Sequence, residues 1–95
     1  MELGTYESLI ITEKGNTKIC ETIINKCKEI ITNNNGEFKR FDNWGTKKLA
    51  YEIRGNFEAT FTLLTFNGTR EIVNKLRKYY EADENVLRHL FIRID

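Results

Sequence analysis

Lys47-Lys48-Leu49-Ala50-Tyr51-Glu52-Ile53-Arg54-Gly55-Asn56-Phe57-Glu58-Ala59-Thr60-Phe61-Thr62-Leu63-Leu64-Thr65-Phe66 is the stretch on which the fold turns. Its second half, Phe57 to Phe66, is aromatic and rich in threonine, the composition of a strand. Lys47 to Ile53 is a second extended piece, and Arg54-Gly55-Asn56 between them is a turn signal. Together they predict a β-hairpin in the middle of the chain.

Upstream, Glu37 to Phe41 alternates polar and aromatic residues, and Asp42-Asn43 interrupts it before Trp44-Gly45. A glycine inside a strand pattern marks a bulge, so 37–53 reads as one long, bulged strand. Tyr6 to Thr12 is short, β-branched and aromatic, a buried strand, broken by Lys14-Gly15-Asn16. Between these strands Ile19, Cys20, Ile23, Ile24, Cys27, Ile30 and Ile31 recur at three- and four-residue spacing, which predicts one buried helix stripe. Asn16 or Thr17 can cap its start, and Asn35-Gly36 supplies a left-handed stop. Downstream, Asn67-Gly68-Thr69 turns into a helix with Ile72, Val73, Leu76, Tyr79 and Tyr80 on one side. Asp83-Glu84-Asn85 ends that helix, and Val86 to Ile94 is a last strand.

The predicted order is β-α-β-β-α-β, the split βαβ or ferredoxin-like arrangement in the α+β class. Right-handed crossovers place both helices on one face of a four-stranded antiparallel sheet and leave the other face open. Alternation splits the last strand into an apolar row, Leu90, Ile92 and Ile94, and a mixed row, His89, Phe91 and Arg93. The apolar row is expected under the helices. The mixed row is then expected on the open face, where rings and cations can stack on bases or pair with phosphate.

Length and charge limit what such a domain does. The 95 residues make a single domain over 1–95, and the formal net charge is +1, too small for binding nucleic acid by charge alone. No apolar run approaches the ~20 residues of a bilayer span, which excludes a membrane protein of the helical kind. The N-terminus shows neither a signal peptide nor a basic presequence, so a cytosolic place is expected; an organellar protein that had lost its presequence would read the same. Cys20 and Cys27 lie two helical turns apart, about 10 Å, beyond disulfide reach, and read as small core residues. With His89 the only histidine, a zinc site is not expected. No Gly-rich phosphate loop, nucleophile elbow or metal-spaced cluster is present, so neither catalysis nor a cofactor is expected. Glu21, Glu29, Glu71 and Glu81 read as exposed helix positions.

One region stands apart electrically. Lys39, Arg40, Lys47, Lys48 and Arg54 face only Asp42 and Glu52, with Phe41, Trp44 and Tyr51 interleaved. Cations mixed with aromatics suit RNA, whose phosphates fix position while its bases stack. The third strand opens Arg54-Gly55-Asn56-Phe57-Glu58-Ala59-Thr60-Phe61, at the place of the RNA-recognition-motif octamer. Asn56 and Glu58 stand where that octamer stacks bases, so stacking of that kind is not expected.

Trp44-Gly45-Thr46-Lys47-Lys48-Leu49-Ala50-Tyr51-Glu52-Ile53 resembles the signature W-G-x-[KR]-[KR]-L-A-Y-x-I of the bacterial small-subunit ribosomal protein number six family. Tyr6-Glu7 and Asn85-Val86-Leu87-Arg88-His89-Leu90 match the family at the first and last strands. The resemblance runs from Tyr6 to Asp95. It implies a structural protein of the small subunit, seated on the platform in the central domain of the ribosomal RNA and paired with ribosomal protein number eighteen. No membrane and no small-molecule substrate is implied. Carried over by position, Lys47, Lys48 and Arg88 are the leading RNA-facing residues, with Arg93, His89 and Tyr6 behind them; Phe91, Tyr51 and Trp44 are expected at the protein partner. Glu52 stands where the family commonly has proline, and Gly4-Thr5 replaces an arginine often found before the first tyrosine. A different class stays open on the residues alone: a ferredoxin-like regulatory or ligand-binding module that dimerises through its open face.

Overall fold

The structure, a computed structural model, describes residues 3–15 and 17–95. Six elements follow the predicted order: β1 (Gly4–Glu13), α1 (Thr17–Asn33), β2 (Glu37–Ile53), β3 (Asn56–Gly68), α2 (Arg70–Ala82) and β4 (Val86–Arg93). The strands form one antiparallel sheet in the order β2-β3-β1-β4, so β2 and β4 are its edges. Both helices lie on one face, as the ferredoxin-like reading requires.

The helix stripes fall where their spacing puts them. Ile23, Ile24, Cys27 and Ile31 of α1 and Ile72, Val73, Leu76 and Tyr80 of α2 are buried. They close over Tyr6 and Ile10 of β1, Leu64 and Phe66 of β3 and Val86 of β4. Burying each of the larger aliphatic side chains contributes about 1.5–3 kcal/mol, which is what holds the helices to the sheet. Cys20 and Cys27 are free thiols. The left-handed residue ending α1 is Asn35, with φ 65°, and the Gly36 amide donates to the Ile31 carbonyl at 2.8 Å. Thr17 is the first residue of α1; Asn16, the other residue expected to cap it, lies outside the described residues.

β2 is the long bulged strand predicted, with a bulge at Trp44 beside the glycine. Asp42 and Asn43 stay in the ladder, opposite Leu63 and Thr62, and the register shifts again between Phe38 and Arg40 and between Lys48 and Ile53. Gly45 takes φ +82°, and its amide donates to Asn43 Oδ1 at 2.8 Å. The hairpin closes at Ile53 opposite Asn56, with positive φ at both Arg54 and Gly55, the signature of a type I′ turn. β3 runs on through Asn67 and Gly68, which were expected in the following turn.

β4 corrects the sequence reading. Tyr6 lies opposite Arg93, Ser8 opposite Phe91 and Ile10 opposite His89, and directly paired residues share a face. Tyr6, Ser8 and Ile10 are buried under the helices, so His89, Phe91 and Arg93 are on the helix side. Leu90, Ile92 and Ile94, expected in the core, lie on the open face at 53%, 49% and 50% exposure. The reason is register: the face of an edge strand is set by its partner, and the partner row here is Tyr6-Ser8-Ile10. Tyr80 then fills the space beside the mixed row, its ring against His89 at 5.3 Å and stacked on Phe91 at 5.7 Å.

Candidate nucleic-acid interface

The β2–β3 hairpin projects past the end of β1 and turns toward the start of β4. At its tip Arg54 Nη1 donates to the Glu84 carbonyl at 3.4 Å. Along its side the Arg88 guanidinium lies over the Tyr51 ring at 5.7 Å. Between hairpin and strand opens a cleft of about 470 Å³ lined by Glu52, Ile53, Arg54, Leu87, Arg88 and His89. Arg88 is opposite Ile11 and Lys47 opposite Ala59, both on the open face. An exposed tyrosine and a guanidinium thus share one corner, while Lys47 lies on the same face of the sheet but on the opposite edge strand. A guanidinium resting on a ring keeps its in-plane N–H groups for phosphate, so the corner can hold a nucleic-acid backbone and offer a ring to a base.

Lys47 and Lys48 part company. Successive strand residues point to opposite faces, and Lys48 lies opposite Glu58, on the helix side. Glu58 also accepts an ion pair from Lys14 at 2.8 Å. The hydrogen bond from Lys14 and the Lys14 charge, with the Lys48 charge behind them, hold the Glu58 carboxyl below its usual range. Lys48 therefore has a carboxylate in its neighbourhood, and Lys47 faces the other side.

The remaining expected residues are distributed differently. Tyr6 is buried at 9% exposure, stacked on Phe66 at 5.6 Å, so its ring is part of the core and not a surface for bases. His89 is half-buried, and burial is the main cause pushing its pKa below the usual imidazole value. Arg93 lies over Tyr6 at 5.8 Å and pairs with Asp95 at 2.9 Å. Its guanidinium fills space that a side chain at position 4 would need: a Cβ on Gly4 would come 2.8 Å from Arg93 Nε. Phe91 is half-buried against the core beneath Arg77, whose guanidinium stands 5.5 Å from the ring. Trp44 and Tyr51 are exposed at 47% and 62%.

Sequence reading passed over Phe57, 68% exposed on the hairpin, and put Leu90, Ile92 and Ile94 under the helices instead of on the open face. Phe57 is the second residue of β3, beside the hairpin turn. Among the described residues no three His, Cys, Asp or Glu side chains gather as a metal site, and no helix is long and apolar enough to cross a membrane.

The profile of the family described as Ribosomal protein S6 matches residues 5–93. Small ribosomal subunit protein bS6 of Thermoanaerobacter pseudethanolicus is 38% identical over 94 residues, 98% of this chain and 99% of that protein. The protein of the same name from Caldanaerobacter subterraneus subsp. tengcongensis is 33% identical over 94 residues, with the same coverage of both chains. The crystal structure of 30S ribosomal protein S6 from Thermotoga maritima superposes with a TM-score of 0.86 at 23% identity, over 98% of this chain and 89% of that one, a likeness of fold. The chain belongs to the ribosomal protein S6 family, whose members are structural components of the small subunit of the cytoplasmic ribosome and not enzymes.

Proposed function

We propose that this chain binds small-subunit ribosomal RNA on the platform, in the central domain, jointly with ribosomal protein number eighteen, and that the pair helps the platform assemble. The observation that supports this reading best is the hairpin corner, where the Arg88 guanidinium lies over the exposed Tyr51 ring on a chain whose net charge is only +1. A few well-placed cations give position, while a near-neutral chain lacks the counterion release that makes binding tight. A basic partner supplies the rest. The open face offers that partner an apolar row, Leu90, Ile92 and Ile94, of the kind that marks protein–protein contact.

The test is equilibrium binding to the RNA junction with and without the partner. Weak binding alone and tight binding as a pair is the expected result. Equal affinity for the chain by itself would defeat the joint reading. Self-association through the open face is the competing outcome; sedimentation of the isolated chain as a stable dimer, with no gain from the partner, would favour it.

A further inference from the structure

At the other end of β4 a smaller cleft, about 260 Å³, opens between α2 and the β1–β4 pair. Arg70, Asn74 and Arg77 line it from α2, Arg93 from β4, and Tyr6 and Phe91 floor it. Among the described residues that line it none is acidic. Arg70, Asn74 and Arg77 are spaced i, i+4, i+7, one face of the helix, and Asn74 Oδ1 accepts a hydrogen bond from Arg77 Nη1 at 3.0 Å.

The guanidiniums of Arg77 and Arg93 rest over Phe91 and Tyr6, and those rings are stacked in turn on Tyr80 at 5.7 Å and Phe66 at 5.6 Å. Core packing therefore holds two arginine heads in place, which lowers the ordering cost of using them. A guanidinium seated on a ring keeps its in-plane donors for an oxyanion. Arg70 opens α2, where a cation opposes the helix dipole, and the N-cap Thr69 makes no side-chain capping bond. A cation placed against local preference, beside two ring-held guanidiniums, has a physical reason if an anion sits between them. Arg93 Nε pairs with the Asp95 carboxylate at 2.9 Å, and both side chains are exposed.

The geometry points to a second phosphate-binding site on this chain: the cleft between α2 and β4, in which Arg70 and Arg77, with Arg93 at the rim, grip the phosphodiester backbone of RNA. The site rests on the RNA-binding reading above and extends it to residues outside the family signature. Arg88 and Arg93 are five residues apart on β4, about 17 Å, and on opposite faces. β4 is an edge strand, so an RNA strand that meets both sites passes over its free edge.

The test is the salt dependence of binding by the full chain with its basic partner to the RNA junction. Arg70→Gln with Arg77→Gln should make the slope of log affinity against log salt shallower by about 1.5 units, since each phosphate contact contributes ~0.7–0.9. Arg70→Lys with Arg77→Lys, which keeps both charges, should restore most of that slope. Independently, the Nε–H signals of Arg70 and Arg77 in the unmodified chain should shift when RNA is added, a readout that needs no variant to fold. An unchanged slope and unmoved signals, while Arg88→Ala still weakens binding, would overturn the cleft and leave the corner standing. No RNA binding by the unmodified pair would remove both.

Discussion

The Tyr80 hydroxyl lies 2.9 Å from the Ser8 hydroxyl in the interior of the domain, with Ser8 at 0% and Tyr80 at 1% exposure. The contact joins α2 to the central strand β1. It lets a row containing a serine serve as the core face of the sheet, because the serine's polar atom has a partner where water cannot reach. Cys27 Sγ, 3.5 Å from the same tyrosine oxygen, completes a small buried polar group.

Tyr80→Phe should therefore destabilise the fold by about 1–3 kcal/mol, since the Ser8 hydroxyl loses a buried partner. Ser8→Ala combined with Tyr80→Phe should cost less than the sum of the single changes. Urea unfolding of the four proteins reads this directly. Additivity to within ~0.3–0.5 kcal/mol would mean the two hydroxyls are not coupled.

Alkaline pH should weaken the fold through the same group. Burial pushes the Cys27 thiol up to about 11, and burial pushes the Tyr80 phenol well above its ordinary value. An unfolded thiol releases its proton near pH ~8.5, so above that pH the unfolded chain holds fewer protons than the native one. Stability is then level up to about pH 8.5 and falls as pH rises toward 11. Urea midpoints at pH 7, 9 and 10.5 check the sign, and Cys27→Ala should flatten part of the fall. A midpoint that rises over this range contradicts the assignment.

Gly45→Ala tests the bulge. Nothing lies within 4 Å of a Cβ built at Gly45, so crowding is absent and only the left-handed backbone, φ +82°, resists the change. The expected loss is about 1–2 kcal/mol in thermal or denaturant unfolding. No loss would mean that the bulge relaxes to another conformation at no cost.

Lys47→Ala and Lys48→Ala should differ, although the residues are neighbours. Lys47 is on the open face with Arg88, and Lys48 faces Glu58. The first change should reduce the salt slope of RNA binding by ~0.7–0.9 and the second by less than half of that. Equal effects would place both lysines on phosphate.

Ile92→Lys probes the open face without disturbing the core. Ile92 is 49% exposed and directly opposite Glu7, so a lysine there gains a cross-strand carboxylate. Stability should change by no more than ~0.5 kcal/mol. Association with ribosomal protein number eighteen should drop at least tenfold in a pull-down or calorimetric titration. Unchanged association would move the partner to another surface.

Local features were legible from residue order alone. The helix stripes, the long bulged β2 and the turn at Arg54-Gly55 are each specified by neighbours within a few residues. The face of β4 was not, because alternation yields two rows and only the pairing of Tyr6 with Arg93 and Ser8 with Phe91 assigns them. An all-apolar row invites the interior assignment, yet here the interior row carries histidine and arginine whose rings or neighbours are covered by α2. The opposed directions of Lys47 and Lys48 follow from strand geometry but needed the bulge at Trp44 to be located first. The partnership of Arg77 with Phe91 joins elements distant in sequence and leaves no local mark.

The apolar row on β4 also bears on what becomes of a copy that has not docked. Leu90, Ile92 and Ile94 sit about half exposed at the edge of the sheet, next to backbone groups with no neighbouring strand. Such an edge favours pairing with any other extended chain. A copy whose open face stays uncovered therefore carries its own route to self-association, along the free edge of β4 beside a half-exposed apolar row.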